Sequence, residues 1–74
     1  MAHYVIYTQH HSISRSRVVH CPEGETLRGA KRRATREFGD GFPAHTIVIA
    51  HVSPLGWEIA SKRRVRDKRW LDCY

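Results

Sequence analysis

Between Thr26 and Phe38 the apolar residues Leu27, Ala30, Ala34 and Phe38 recur at spacings of three, four and four. At ~100° per residue they fall on one stripe roughly 80° wide, which predicts a single amphipathic helix. Thr26 is placed to cap its N-terminus through the hydroxyl. Glu23 and Glu25 lie on the favoured side of the helix dipole. Gly39 follows Phe38, where a left-handed C-cap is expected. Gly29 costs about 1 kcal/mol relative to Ala inside a helix, so it marks either a close approach to a strand or simple tolerance. A stripe this narrow has to be buried against something, and the rest of the chain offers only strand-like segments.

His3–Thr8 is rich in β-branched and aromatic residues and reads as a strand. Residues 9–15 are polar and read as a loop. Arg17–Cys21, with Val18 and Val19, reads as a short second strand broken by Pro22 and Gly24. Asp40-Gly41-Phe42-Pro43 is a loop. His45–Val52 is apolar on both faces and is expected to be central. Ser53-Pro54-Leu55-Gly56 is a turn. Trp57–Lys62 alternates, with Trp57, Ile59 and Ser61 on one side and Glu58 and Ala60 on the other. Arg63–Lys68 reads as a charged connection, and Arg69–Cys73 as a last strand. With 74 residues there is room for one core, so the chain is one domain, 1–74. The expected fold is α+β, one helix on a mostly antiparallel sheet of about five strands, in the order β-β-α-β-β-β.

Charge is concentrated. The chain has 13 Lys and Arg against 7 Asp and Glu, a formal net charge of +6. Arg28, Lys31, Arg32, Arg33 and Arg36 lie on the helix, and Lys62, Arg63, Arg64, Arg66, Lys68 and Arg69 lie in a second segment, 62–69. No acid interrupts Arg28–Arg36, so neighbouring salt bridges are not expected to neutralise that run. Like charges four residues apart disfavour a helix by a few tenths of a kcal/mol per pair. Two readings of this face stand: a solvated surface that keeps a small protein soluble, or a contact surface for phosphates or carboxylates. The candidate partner-binding residues are Arg28, Lys31, Arg32, Arg36, Arg63, Arg64 and Arg66. Any DNA contact is expected to be non-specific, because no helix-turn-helix or zinc-finger pattern is present.

Other chemistry is not expected. Six histidines make no His-Glu-x-x-His arrangement, and two cysteines make no four-thiolate site, so no metal or cofactor is anticipated. Cys21 has no orienting partner or oxyanion loop in the sequence, so no catalytic residue is assigned. Cys21 and Cys73 read as small buried thiols. Trp70 reads as core. Trp57 reads as core too, with base stacking as the alternative. No stretch approaches the ~18 apolar residues of a membrane span, and Met1–Tyr4 lacks a signal-peptide pattern. A cytoplasmic protein with a negatively charged partner is expected.

Three blocks carry a family resemblance: Tyr4-Val5-Ile6, the helix segment Ala30-Lys31-Arg32-x-Ala34-x-Arg36-Glu37, and Lys68-Arg69-Trp70-Leu71-Asp72-Cys73. In these the chain resembles a small phage-encoded anti-CRISPR family directed against the type I-F crRNA-guided surveillance (Csy, or Cascade) complex, the ninth of the type I-F families. That family reads Ala-Lys-Arg-x-Ala-x-Lys-Glu and Lys-Arg-Trp-Val-Asp-Cys at the last two blocks. The resemblance spans nearly the whole chain at low identity. The family has glutamine where this chain has Phe38. This chain also has a longer, more basic connection before Lys68 and extra residues around Phe42-Pro43. The resemblance implies a five-stranded antiparallel sheet with one helix. It also implies a stoichiometric inhibitor rather than an enzyme, phage-encoded and acting in the bacterial cytoplasm as a monomer or weak dimer. Its partners would be Cas proteins of a type I complex, whose target-DNA binding it blocks, with duplex DNA as a further contact. Lys31, Arg32 and Arg36 match the family's basic helix positions, and Arg64 is the nearest match to a family lysine. The alternative is a free-standing, non-specific nucleic-acid-binding phage accessory protein.

Overall fold

A computed structural model describes residues 3–9, 17–40 and 45–73. The elements are β1 (His3–Gln9), β2 (Val18–His20), α1 (Leu27–Phe38), β3 (Thr46–Ser53), β4 (Gly56–Arg64) and β5 (Leu71–Asp72). The strands form one five-stranded sheet in the order β2-β1-β3-β4-β5, and every pairing is antiparallel. This is the α+β architecture expected, with β3 in the middle. Of the polar loop expected at 9–15, Gln9 instead ends β1; the rest of it, and most of the loop at 40–43, lie outside the described residues.

The sheet buries both faces of its central strands. Ile6, Ile47 and Ile49 face α1 and pack with Ala30, Ala34, Phe38 and Cys21. Each of these isoleucines is fully buried, worth about 1.5–3 kcal/mol apiece. Tyr4, Val19, Leu27, Val65 and Trp70 border this cluster. Val5, Tyr7, Val48 and Ala50 have the opposite parity and form a second cluster, flanked by Val18 and Val52. Two apolar faces on β3 require a neighbour on each edge and cover above and below, which explains its central position.

The helix starts as its sequence requires. The Thr26 hydroxyl accepts a hydrogen bond from the Gly29 amide at 3.1 Å. Its end differs from expectation. Gly39 is right-handed, at φ −64° and ψ −23°, and its amide donates to the Thr35 carbonyl. A glycine fits here because of close approach rather than handedness: a Cβ would sit 2.3 Å from the Thr35 oxygen.

The largest departure lies in β4. Ala50 pairs with Ile59 and Ile49 pairs with Ser61, so Ala60 is an extra residue at a β-bulge. The bulge shifts the side-chain parity. Trp57 and Ile59 stay on the face opposite the helix, while Ser61 and Arg63 turn towards it. Simple alternation had put Ser61 with Trp57 and Ile59. The Ala60 carbonyl accepts a hydrogen bond from the Cys73 amide at 2.9 Å, which holds the last segment against β4. β4 also runs on through Arg63 and Arg64, residues expected in the connection. Pairing with β3 continues that far, at Ile47 with Arg63 and Thr46 with Arg64. Arg69 and Trp70 fall outside β5, which is limited to Leu71–Asp72.

Candidate nucleic-acid and protein interface

The structure divides the expected cationic patch into three parts. Arg28, Arg32 and Arg36 are exposed on α1. Their spacing of four keeps them on one flank of the helix, at ~100° per residue. Thr35 and Gly39 share that flank, and they line an open groove of about 370 Å³ with Arg66, Lys68, Val65 and Trp70. The helix flank and the β4–β5 connection therefore meet at this groove through Thr35 and Gly39, with Arg28, Arg32 and Arg36 outside its lining. Arg66 extends the patch, and Lys68, not among the candidate residues, extends it further. Arg64 does not. It pairs with Thr46 and Gln9 lies beyond on β1, which puts it on the sheet face away from the helix.

Arg63 is a correction to the candidate site. It is only 8% exposed. Its guanidinium donates to the carbonyls of Arg64, Val65 and Asp67 and to the Thr35 hydroxyl. It also lies over the Trp70 ring, 5.0 Å from the centroid. Nη1 meets the three carbonyls and Nη2 the Thr35 hydroxyl, so the planar fork reaches both the connection and the helix, which a single lysine ammonium would not. Arg63 ties the β4–β5 connection to the helix rather than meeting a partner.

Acids from outside the Arg28–Arg36 run pair with two of its cations. Lys31 Nζ lies 2.9 Å from Asp72 Oδ1, and the same oxygen accepts from the Ser61 hydroxyl at 2.7 Å. The Lys31 ammonium, and then the Ser61 hydroxyl, hold the Asp72 carboxyl below its ordinary range. Arg33 donates from Nε and Nη2 to the two Glu25 oxygens, each at 3.1 Å. Glu25 reaches it by lying over Gly29: a Cβ on Gly29 would stand 2.9 Å from Glu25 Cγ. The glycine gives up helix propensity and makes room for an ion pair that spans two turns. Arg28, Arg32 and Arg36 make no ion pair among the described residues. They are the accessible charge.

On the opposite flank, Arg17 donates to the Glu37 carbonyl at 3.2 Å and lies 4.8 Å from the Phe38 ring centroid. Cys21 is buried, and Cys73 is exposed rather than buried as expected; both are free thiols. Burial, and then the neighbouring Glu25 carboxylate, push the Cys21 thiol up to about 11. A thiol raised this far stays protonated at neutral pH. Trp70 packs against the helix-side core, whereas Trp57 is 44% exposed. No helix among the described residues is long and apolar enough to cross a membrane.

The Glu25–Arg33 pair sets an acid-side dependence of stability. Hydrogen bonding from Arg33 lowers the Glu25 pKa in the fold. A depressed carboxylate contributes fully above its unfolded value, about 4.3, and that contribution is lost as pH falls through the lower folded value. Acidification from about pH 5 towards 3 should lower the urea midpoint of the wild type. Glu25→Gln should start lower and lose less over that interval. Parallel midpoint curves for the two proteins would show that this pair is not the source.

Comparison with protein-family models, curated proteins and solved structures returned no significant match for this chain.

Proposed function

We propose that the chain is an anti-CRISPR-like inhibitor that binds a type I crRNA-guided surveillance complex and blocks its access to target DNA. The observation that carries the reading is the accessible stripe Arg28–Arg32–Arg36, with Arg66 and Lys68 on the connection that meets the same helix flank at Thr35 and Gly39. Such a surface competes where a phosphate chain would lie, docking on carboxylates or phosphates through arginine forks. The helix carries the block Ala30-Lys31-Arg32-x-Ala34-x-Arg36-Glu37 on which the family resemblance partly rests. Lys31 contributes through its ion pair with Asp72 as well as through its position, which makes it a poor site for a clean test. Reversing it would set two carboxylates against each other.

The test is therefore Arg28, Arg32 and Arg36 changed together to Glu. With a purified type I-F complex and labelled target duplex, the wild type should prevent the target shift in a gel. The triple variant should need at least ~100-fold more protein, as expected when several charge contacts at one interface are reversed, while its circular dichroism stays native. Undiminished inhibition by the variant would remove this face from the mechanism. Tight, salt-sensitive binding of the isolated protein to the duplex, with no effect on the complex, would favour the free-standing nucleic-acid-binding protein instead.

A further inference from the structure

The sheet face opposite the helix carries a second surface of different character. Trp57 and Ile59 in the first half of β4 remain 44% and 42% exposed, and Leu71 on β5 is 60% exposed. Lys62 and Arg64, past the bulge, share that face: Lys62 pairs with Val48 and Leu71, Arg64 with Thr46. Lys62, Arg64, Arg69 and Leu71, with Gln9 and Thr46, line an open groove of about 310 Å³. Trp57 is held at the other end by a tilted contact with the Tyr7 ring, centroid to centroid 6.0 Å. From Trp57, opposite Val52, to Arg64, opposite Thr46, is six residues of β3, about 20 Å at ~3.3 Å per residue.

The face is predominantly cationic. Glu58 pairs with His51 and Asp72 with Ser61, so both carboxylates have the helix-side parity. Asp67 is the one acid that lines the groove among the described residues. A flat aromatic and apolar platform running into a row of cations along one strand matches a ligand that repeats flat bases and phosphates. It matches only if the bases are unpaired, since a duplex offers base edges and no base faces. An acidic protein surface would satisfy the cations and leave the tryptophan without a complementary flat group.

We propose that this sheet face binds single-stranded nucleic acid, with Trp57 stacking on a base and Lys62, Arg64 and Arg69 on the phosphates. The surface is separate from the helix stripe, and the proposal does not depend on inhibition of any complex. The test is fluorescence anisotropy of a short fluorescein-labelled oligothymidine at low salt, with the matching oligouridine and an oligothymidine–oligoadenine duplex as competitors. Trp57→Ala should weaken binding about tenfold, in the range expected for loss of one base–aromatic stack. Trp57→Phe should restore most of it, since an aromatic ring is kept at the position. Lys62→Glu with Arg64→Glu should abolish binding and, in the weaker single variants, flatten the salt dependence. Arg32→Glu with Arg36→Glu should leave it unchanged. Oligouridine competing as well as oligothymidine places RNA and DNA on the same footing; a preference for either identifies the strand and still supports the face. Equal competition by the duplex, or wild-type affinity in Trp57→Ala, overturns the proposal. So does wild-type self-association in sedimentation that Trp57→Ala abolishes, since the occupant would then be a second copy of the chain.

Discussion

Arg63→Met should destabilise the protein by about 3 kcal/mol, measured by urea or guanidinium denaturation, more than any exposed arginine substitution. The methionine replaces the aliphatic stem but none of the donors. Three carbonyls, those of Arg64, Val65 and Asp67, and the Thr35 hydroxyl lose the guanidinium at once. Hydrogen bonds from a charged donor contribute about 1.5–3 kcal/mol each when considered singly. The total is smaller than their sum because removing the buried cation also removes its desolvation cost. A domain of this length has roughly 4–11 kcal/mol of stability to lose. Arg63→Lys should recover only part, since one ammonium cannot span the same set of acceptors. Arg66→Met, a few residues away on the exposed side of the same groove, should change stability by less than about 0.5 kcal/mol. If Arg63→Met were as mild as Arg66→Met, the guanidinium would not be what holds the β4–β5 connection to the helix.

Phe38→Ala should cost about 3–4 kcal/mol, within the range for an aromatic truncation in a core. The reason lies in the rest of the helix. Ala30 and Ala34 are fully buried but contribute a methyl group each, and Leu27 is half-buried at the rim of the cluster. Phe38 is thus the one large buried side chain that α1 places against the sheet. Its ring also supports the Arg17 guanidinium, so the truncation removes a cation–π contact together with the apolar area. At about 4–8 °C per kcal/mol for domains of this size, the thermal midpoint should fall by roughly 12–32 °C. A drop of under about 5 °C would mean that the helix is held by its polar ties to β4 and β5 and not by this anchor. The small residues at 30 and 34 let the helix axis approach the sheet closely, and that approach leaves little room for neighbouring side chains to fill a cavity at Phe38.

Much of this was legible in the residues. The helix declared itself through the spacing of Leu27, Ala30, Ala34 and Phe38 and through Thr26, because periodicity and capping are local. β3 was legible as central because both of its faces are apolar. The bulge at Ala60 was not. Alternation in a sequence carries parity only as long as the backbone pairs one residue to one, and nothing in Ile59-Ala60-Ser61 announces that it stops doing so. That one shift decided where Ser61 and Arg63 point, and with them most of the site. Arg63 was indistinguishable from its neighbours as one cation in a charged run; its burial depends on carbonyls that converge only when the connection folds back. The pairing of Lys31 with Asp72 and of Arg33 with Glu25 joins residues 41 and 8 positions apart, beyond the three- and four-residue neighbourhood in which helix charges can be read. What was legible of the candidate interface was its sign and its helix stripe. How it splits into separate surfaces followed from the sheet.

The bulge also makes β4 two half-strands spliced out of phase. Upstream of Ala60 the even-numbered Glu58 faces the helix; downstream it is the odd-numbered Ser61 and Arg63 that do. If Ala60 were absent, Ile59 and Ser61 would become neighbours and still alternate, so each half would keep its face. The loss would fall on the amide of Cys73, which uses the Ala60 carbonyl as its acceptor. Chain length can therefore vary by one residue at this point without exchanging the contents of the two surfaces, and the helix-side and sheet-side surfaces are free to change independently.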